Sequence, residues 1–160
     1  MKAIVTGSFD PITVGHINII KKAKELFDEI YVVALLNEKK TYMFSMDEKK
    51  EIISLSVSGM DNVFADAYDG LTADYMHKHG ITKIVRGIRD ENDRKYELNL
   101  SNAMKEYDSN FETVFIQSDD EYKNISSTYA RKAIIDGESL DGIISSKAID
   151  RLKEIYKSKK

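Results

Sequence analysis

Short apolar, β-rich runs alternate with stretches of helical periodicity along this 160-residue chain, and that alternation leaves few folds open. Lys2–Val5 reads as a short buried strand, and Ile17, Ile20, Ala23 and Phe27 recur after it at helical spacing. Ile30–Leu36 is a second continuous apolar strand. Ser45, Met46, Asp47 and Glu48 spell a capping box ahead of a helix carrying Ile52, Ile53, Leu55 and Val57. Val63–Tyr68 reads as strand and Leu71–His79 as a short helix stopped by Gly80. Thr82–Val85 is strand, Asp93–Tyr107 helix and Thr113–Gln117 strand. Ser127 is placed to cap a helix over Thr128–Asp136 that Gly137 ends, and a last helix covers roughly Ser146–Lys157. No hairpin signal joins two strands, so the connections must be crossovers. The expectation is an α/β fold: a Rossmann-like, doubly wound, five-stranded parallel sheet with helices on both faces. Such sheets bind ligands beyond the carboxyl ends of their strands, where the topology reverses. Gly7–His16, Asn37–Lys40, Asp69–Thr72, Arg86–Arg89 and Ser118–Ser127 are expected there.

The length fits one domain spanning 1–160, and 42% hydrophobic residues suffice for a sizeable core. A net charge of −3 gives no overall cationic field, which argues against nucleic acid as a partner. There is no cysteine, so disulfides, thiolate metal sites and cysteine nucleophiles are excluded. The start, MKAIVTG, lacks the apolar core of a signal peptide, and the longest apolar run, Ile30–Leu36, is too short to span a membrane. The expected setting is soluble and cytoplasmic, with no membrane partner.

The stretch TGSFDPITVGHINIIKKA, residues 6–23, holds more special residues than a turn requires. Gly7 permits close approach of backbone and ligand, Ser8 offers a hydroxyl, and Asp10-Pro11 sets a rigid turn. Helix N-termini present free N–H groups and the positive end of the dipole, which suits phosphate. Gly15 keeps that end clear, and His16 puts an imidazole donor beside the same anion. A capped helix with an incidental histidine is the plainer alternative, but four further residues in register favour a site. The stretch matches neither the dinucleotide G-x-G-x-x-G pattern nor the P-loop.

Two arginines at a strand end, Arg86 and Arg89, supply fixed charge and forked donors for phosphate oxygens beside Gly87. The alternative for them is ion pairing with Asp90, Glu91 or Asp93. The run Asn124-Ile125-Ser126-Ser127-Thr128 brings hydroxyls and amides to a helix start. Lys39 and Lys40 follow the second strand. His77 and His79 read as surface residues, and the acidic run Ser118–Glu121 as a solvated loop; no protein metal site is expected.

Together these segments resemble the nucleotidyltransferase superfamily that shares the [ST]-x-G-H signature, and more narrowly the bacterial phosphopantetheine adenylyltransferases. Gly7-Ser8-Phe9-Asp10-Pro11 followed by Gly15-His16 carries the first motif, Arg86-Gly87-Ile88-Arg89 with Asp93 and Tyr96-Glu97 the second, and Ile125-Ser126-Ser127-Thr128 with Arg131 the third. The resemblance covers essentially the whole chain. It implies a single nucleotidyltransferase domain that transfers the adenylyl group of ATP to 4′-phosphopantetheine, giving dephospho-coenzyme A and pyrophosphate, in coenzyme A biosynthesis. It implies catalytic roles for His16, Lys40 and Arg89, with an ungapped alignment selecting Lys40 over Lys39. ATP is expected on Ser8, Phe9, His16, Gly87, Arg89, Glu97, Asn124, Ile125, Ser126, Ser127 and Thr128. Phosphopantetheine is expected on Ser8, Lys40, Leu71, Thr72 and Arg86. Mg²⁺ accompanying ATP, a homohexamer, and inhibition by coenzyme A are implied as well. Thr6 stands where the family has proline, and Met104 where it has an asparagine associated with pantetheine. Mononucleotide adenylyltransferases and cytidylyltransferases share the opening motif. A non-catalytic nucleotide sensor would be expected to lose His16 or a basic loop residue, and neither is lost.

Overall fold

In the computed structural model, which describes all 160 residues, period-two alternation along β1 (Lys2–Gly7) sends Ala3 and Val5 to one face and Ile4 to the other. The other strands are β2 (Glu29–Leu35), β3 (Val63–Tyr68), β4 (Lys83–Ile88) and β5 (Glu112–Gln117). All pair in parallel, in the order β3-β2-β1-β4-β5. The helices are α1 (Val14–Lys24), α2 (Met46–Ser56), α3 (Thr72–His79), α4 (Glu91–Tyr107), α5 (Ser127–Asp136) and α6 (Ile149–Ser158). The chain builds outward from β1 to β3 and then returns to lay β4 on the other side of β1. The topology therefore reverses between β1 and β4, as the doubly wound reading expects.

On one face Ala3, Val5, Ile30, Val32, Ala34, Val85 and Ile116 pack against Ile17 and Ile20 of α1, Ile52 and Ile53 of α2, Ala133 of α5 and Leu152 of α6. On the other, Ile4, Val33 and Ile84 meet Ala73, Tyr75 and Met76 of α3, with Phe111 and the half-buried Met104 closing the layer. Ile20 is fully enclosed. Ile20→Val removes one methylene there and is expected to cost about 1 kcal/mol, read as a lower denaturant midpoint with an unchanged slope.

The caps explain several boundaries. Ser45 and Glu48 make the expected box: the Glu48 N–H donates to Ser45 Oγ at 3.2 Å and the Ser45 N–H to Glu48 Oε1 at 2.8 Å. Gly80 and Gly137 close α3 and α5 with φ of 65° and 70°. Four expectations are corrected. β4 runs on to Ile88 instead of stopping at Val85, because Arg86, Gly87 and Ile88 pair with Phe115, Ile116 and Gln117 of β5. α1 stops at Lys24, and Phe27 is buried from the turn beyond it. Asp90 caps α4, accepting the Asp93 N–H at 2.9 Å, so that helix starts at Glu91. α6 starts at Ile149, with Ser146 in the turn before it. No helix is long and apolar enough to cross a membrane.

Candidate active site

The turn from β1 into α1 lies at the topological reversal. Phe9 takes a left-handed φ of 45° there, unusual for a bulky residue. Its neighbour Asp10 is 2% exposed and does more than form a turn. The Asp10 carboxylate accepts the Met43 N–H at 2.8 Å and the Phe44 N–H at 2.9 Å, fastening the loop after β2 to the loop after β1. Arg131 donates to the Asp10 carbonyl at 2.8 Å. Gly15 proves necessary for a different reason than ligand approach. A Cβ at that position would sit 2.9 Å from the Ile125 carbonyl oxygen, so Gly15 seats the loop that leads into α5. Gly15→Ala is expected to displace that loop and weaken ATP binding roughly fivefold, equivalent to about 1 kcal/mol; equilibrium titration with ATP checks this.

His16 stands in the first turn of α1. The Thr13 N–H donates to its Nδ1 at 2.9 Å, so in the neutral ring the proton sits on Nε2. The Phe9 ring meets the imidazole edge to face, with centroids 5.1 Å apart. Burial, reinforced by the positive charges of Arg86 and Arg89, lowers the His16 pKa from 6.5 to about 4. Near neutral pH His16 is therefore an uncharged ring with one oriented N–H donor.

Arg86 and Arg89 differ sharply. Arg86 makes a bidentate pair with Glu97 of α4, Nε to Oε2 and Nη2 to Oε1, both 2.8 Å. Its Nη1 donates to the Thr6 carbonyl at 2.9 Å and to Thr6 Oγ1 at 3.0 Å. Four of its five N–H groups are thus committed within the protein. Arg86 sits inside β4 and not beyond its end, and its pairing partner is Glu97, not one of the three acids nearer in sequence. Glu97, expected as an ATP contact, spends both carboxylate oxygens on Arg86. Arg89 lies past the strand end and makes a single side-chain contact, Nε to Asp93 Oδ2 at 3.0 Å. Its terminal nitrogens remain available to a ligand.

At the start of α5 the cap is Ser126, whose hydroxyl accepts the Tyr129 N–H at 3.1 Å. Ser127, expected as the cap, is the first helical residue, because its hydroxyl donates to the Pro11 carbonyl at 2.8 Å. The preceding loop is also tied down. Asp119 accepts from Asn18 at 2.8 Å and from Lys22 at 2.6 Å, which ties the acidic run to α1 at one residue, while Asp119, Asp120 and Glu121 stay exposed as expected of a solvated loop.

Two neighbouring cavities meet at this end of the sheet. The first, of about 330 Å³, is lined by Ser8, Phe9, His16, Gly87, Arg89, Glu97, Ile125, Ser126 and Ser127 among others. The expected ATP residues Asn124 and Thr128 do not line it. Both are exposed, and Thr128 Oγ1 instead accepts from Arg131 at 3.1 Å. The second cavity, of about 320 Å³, gathers Ser8, Lys40, Leu71, Thr72 and Arg86, the whole set expected for phosphopantetheine. Lys40 lines it and Lys39 does not. Gly7, Ser8 and Arg86 belong to both walls. A third, more apolar recess of about 290 Å³ holds Thr72, Leu100 and Met104 beside Arg86. Tyr122 and Ser118 also line the first cavity; both lie in the segment expected beyond the end of β5, though no motif singles them out within it.

Residues 4–133 match the model of the cytidylyltransferase-like family. The chain is 38% identical over 147 residues to a phosphopantetheine adenylyltransferase of Clostridium novyi (strain NT), covering 92% of this chain and 91% of that one. It is 34% identical over 156 residues to the enzyme of the same name from Shouchella clausii (strain KSM-K16), covering 98% of each. In fold it is similar to the crystal structure of a candidate nicotinate-nucleotide adenylyltransferase from Vibrio parahaemolyticus, with a TM-score of 0.71 at 16% identity over 97% of this chain and 93% of the other. That likeness speaks to the fold alone, whereas the two sequence relatives span nearly the whole chain. The chain belongs to the cytidylyltransferase-like nucleotidyltransferases and, within them, to the phosphopantetheine adenylyltransferase family.

Proposed function

We propose that the two cavities joined at Ser8 and Arg86 are the two halves of one adenylyl-transfer site, with ATP beside His16 and Arg89 and 4′-phosphopantetheine beside Lys40 and Leu71. The products are dephospho-coenzyme A and pyrophosphate, a step of coenzyme A biosynthesis. The observation that carries this reading is the shared wall, which lets an acceptor phosphate in one cavity face the α-phosphate in the other.

The attacking group is a phosphate monoester, already anionic near neutral pH, so no strong base is needed. Its oxygen forms a bond to the α-phosphorus while the bond from that phosphorus to the bridging oxygen breaks, and pyrophosphate leaves. The barrier lies in aligning two anions and in stabilising charge on the α-phosphate oxygens. The neutral Nε2–H of His16 donates to an α-phosphate oxygen. Lys40 sits between the acceptor phosphate and the α-phosphate, and Ser8 orients the acceptor. Arg89 and the first turn of α5 hold the β- and γ-phosphates. Arg86, with most of its donors occupied, fixes the common wall. Leu71 packs on the pantetheine arm, and Met104 offers that arm an apolar contact where the family's asparagine would offer an amide.

The two carboxylates on the ATP side, Asp93 and Glu97, are each engaged by an arginine, so Mg²⁺ fits as an ion held through ATP's own phosphates. When bound it supplies charge neutralisation along the phosphate chain.

The chain is read as one nucleotidyltransferase domain over residues 1–160, working in the cytoplasm where ATP is made. A homohexamer is proposed on the family likeness. The exposed Tyr96, Leu98, Leu100 and Tyr107 on α4, which buries only Glu97 in the isolated chain, support contact between copies. Coenzyme A combines a pantetheine arm with an adenine nucleotide, so inhibition by occupying both cavities follows from its chemistry. Mass spectrometry of products from ATP, Mg²⁺ and 4′-phosphopantetheine tests the reading, with mononucleotide acceptors run in parallel. Dephospho-coenzyme A with pyrophosphate is the expected result; turnover of a mononucleotide instead would discard the acceptor assignment, and ATP binding without turnover would favour a sensor.

A further inference from the structure

Lys49 is enclosed on the inner side of α2, 1% exposed, and its Nζ is the one buried side-chain nitrogen or oxygen without a hydrogen-bond partner. An enclosed ammonium is costly unless something compensates it. Here the compensation is the Tyr42 ring, whose centroid lies 3.4 Å from Nζ. Burial draws the Lys49 pKa down; the Asp10 carboxylate opposes that shift, while Arg131 and Lys40 add to it.

Tyr42 passes the contact on. Its hydroxyl accepts the Asn37 N–H at 2.9 Å, just past the end of β2. The Asn37 carbonyl accepts the Lys40 N–H at 3.0 Å, and Asn37 Oδ1 accepts the Lys39 N–H at 3.1 Å. Beyond Tyr42, Asp10 holds Met43 and Phe44. The loop carrying Lys40 is therefore gripped at both ends, with the buried Lys49 ammonium against Tyr42 and near enough to Lys40 for their charges to interact. Like charges repel, and that repulsion is strongest where water is excluded. Lys49 thus disfavours a Lys40 side chain folded back toward Asp10 and favours one extended into the acceptor cavity.

We propose that Lys49 and Tyr42 form a pedestal beneath residues 37–42 that sets Lys40 against the reacting phosphates, making Lys49 a positioning residue for adenylyl transfer. The proposal rests on the reading of Lys40 as a contact of those phosphates. Its test is a double-mutant cycle through Lys40, with kcat, ATP affinity and melting temperature measured for each variant of the full chain. Lys49→Met is expected to lower kcat about 10- to 100-fold with the ATP dissociation constant within about twofold. Lys49→Arg, which keeps a cation over the ring, is expected to recover most of that loss. Tyr42→Phe keeps the ring and loses only the bond to Asn37, so it is expected to lower kcat by roughly fivefold in a fully folded protein. In a Lys40→Ala background neither substitution is expected to lower kcat further. Equal losses with and without Lys40 overturn the pedestal while leaving Lys40 in the mechanism. A wild-type kcat in both Lys49→Met and Tyr42→Phe does the same. A wild-type kcat in Lys40→Ala alone overturns the reading of Lys40, and the pedestal with it. Should Lys49→Met fail to fold, the Tyr42→Phe cycle decides by itself.

Discussion

Replacing His16 with alanine is expected to lower kcat about 100- to 1,000-fold while leaving the ATP dissociation constant within about threefold. The asymmetry follows from how the ring is held. Thr13 donates to Nδ1 and so aims the Nε2 proton into the cavity. A fixed donor of this kind gains most when charge builds on the α-phosphate oxygens, which happens in the transition state and not in bound ATP. The burial and the two arginines that keep the ring neutral also define a pH test. The folded pKa lies below the ordinary value of 6.5, at about 4, so folded His16 stays unprotonated through pH 6. Between those two pH values the unfolded chain takes up a proton at His16 that the folded chain does not, so this residue's contribution to stability falls as pH falls from 6.5 toward 4. Imidazole NMR of the free enzyme is expected to show a His16 midpoint near 4. A midpoint near 6.5 would make His16 a cation below neutrality and remove the neutral-donor mechanism. An equal loss in kcat and ATP affinity for His16→Ala would instead make it a ground-state contact.

What was legible in the sequence was local. Ala3, Ile4 and Val5 announce β1 by alternation, and the Ser45–Glu48 box announces α2, because each pattern is written in adjacent residues. The order of the strands follows from crossovers that have few alternatives. Gly7–His16 and the other post-strand segments were therefore placed at the correct end of the sheet, and Lys40, Leu71, Thr72 and Arg86 converge there. What stayed hidden was non-local. The extension of β4 depends on Phe115–Gln117, which are distant in sequence. The choice of Ser126 over Ser127 as cap depends on the Pro11 carbonyl, to which Ser127 turns. Gly15 answers to Ile125 and Asp10 to Met43 and Phe44. Lys49 shares the i, i+3, i+4 spacing of Ile52 and Ile53, so the period of α2 turns it inward; what the sequence does not show is the Tyr42 ring that meets its charge there.

Arg86 and Glu97 show the same limit and yield the second large effect. Eleven residues apart, they meet because β4 and α4 lie against each other, and both are largely enclosed, with side-chain exposures of 26% and 9%. Removing one member of such a pair leaves the other charge without compensation. Arg86→Met is expected to destabilise the protein by about 3 kcal/mol, lowering Tm by about 6 to 12 °C. Removing both charges takes away the penalty together with the pair, so Arg86→Met combined with Glu97→Leu is expected to regain most of the lost Tm. Activity is expected to behave differently. Arg86 forms part of the wall between the two cavities and holds Thr6 at the end of β1, so the double variant folds and still turns over poorly. Thermal melts and steady-state kinetics on the same three proteins separate the two roles. A double variant as unstable as Arg86→Met would show that the arginine stabilises through Thr6 and not through Glu97. A double variant restored in both Tm and kcat would make the ion pair a purely structural strut, and the shared wall would then have to be set by Ser8 and Gly7 alone.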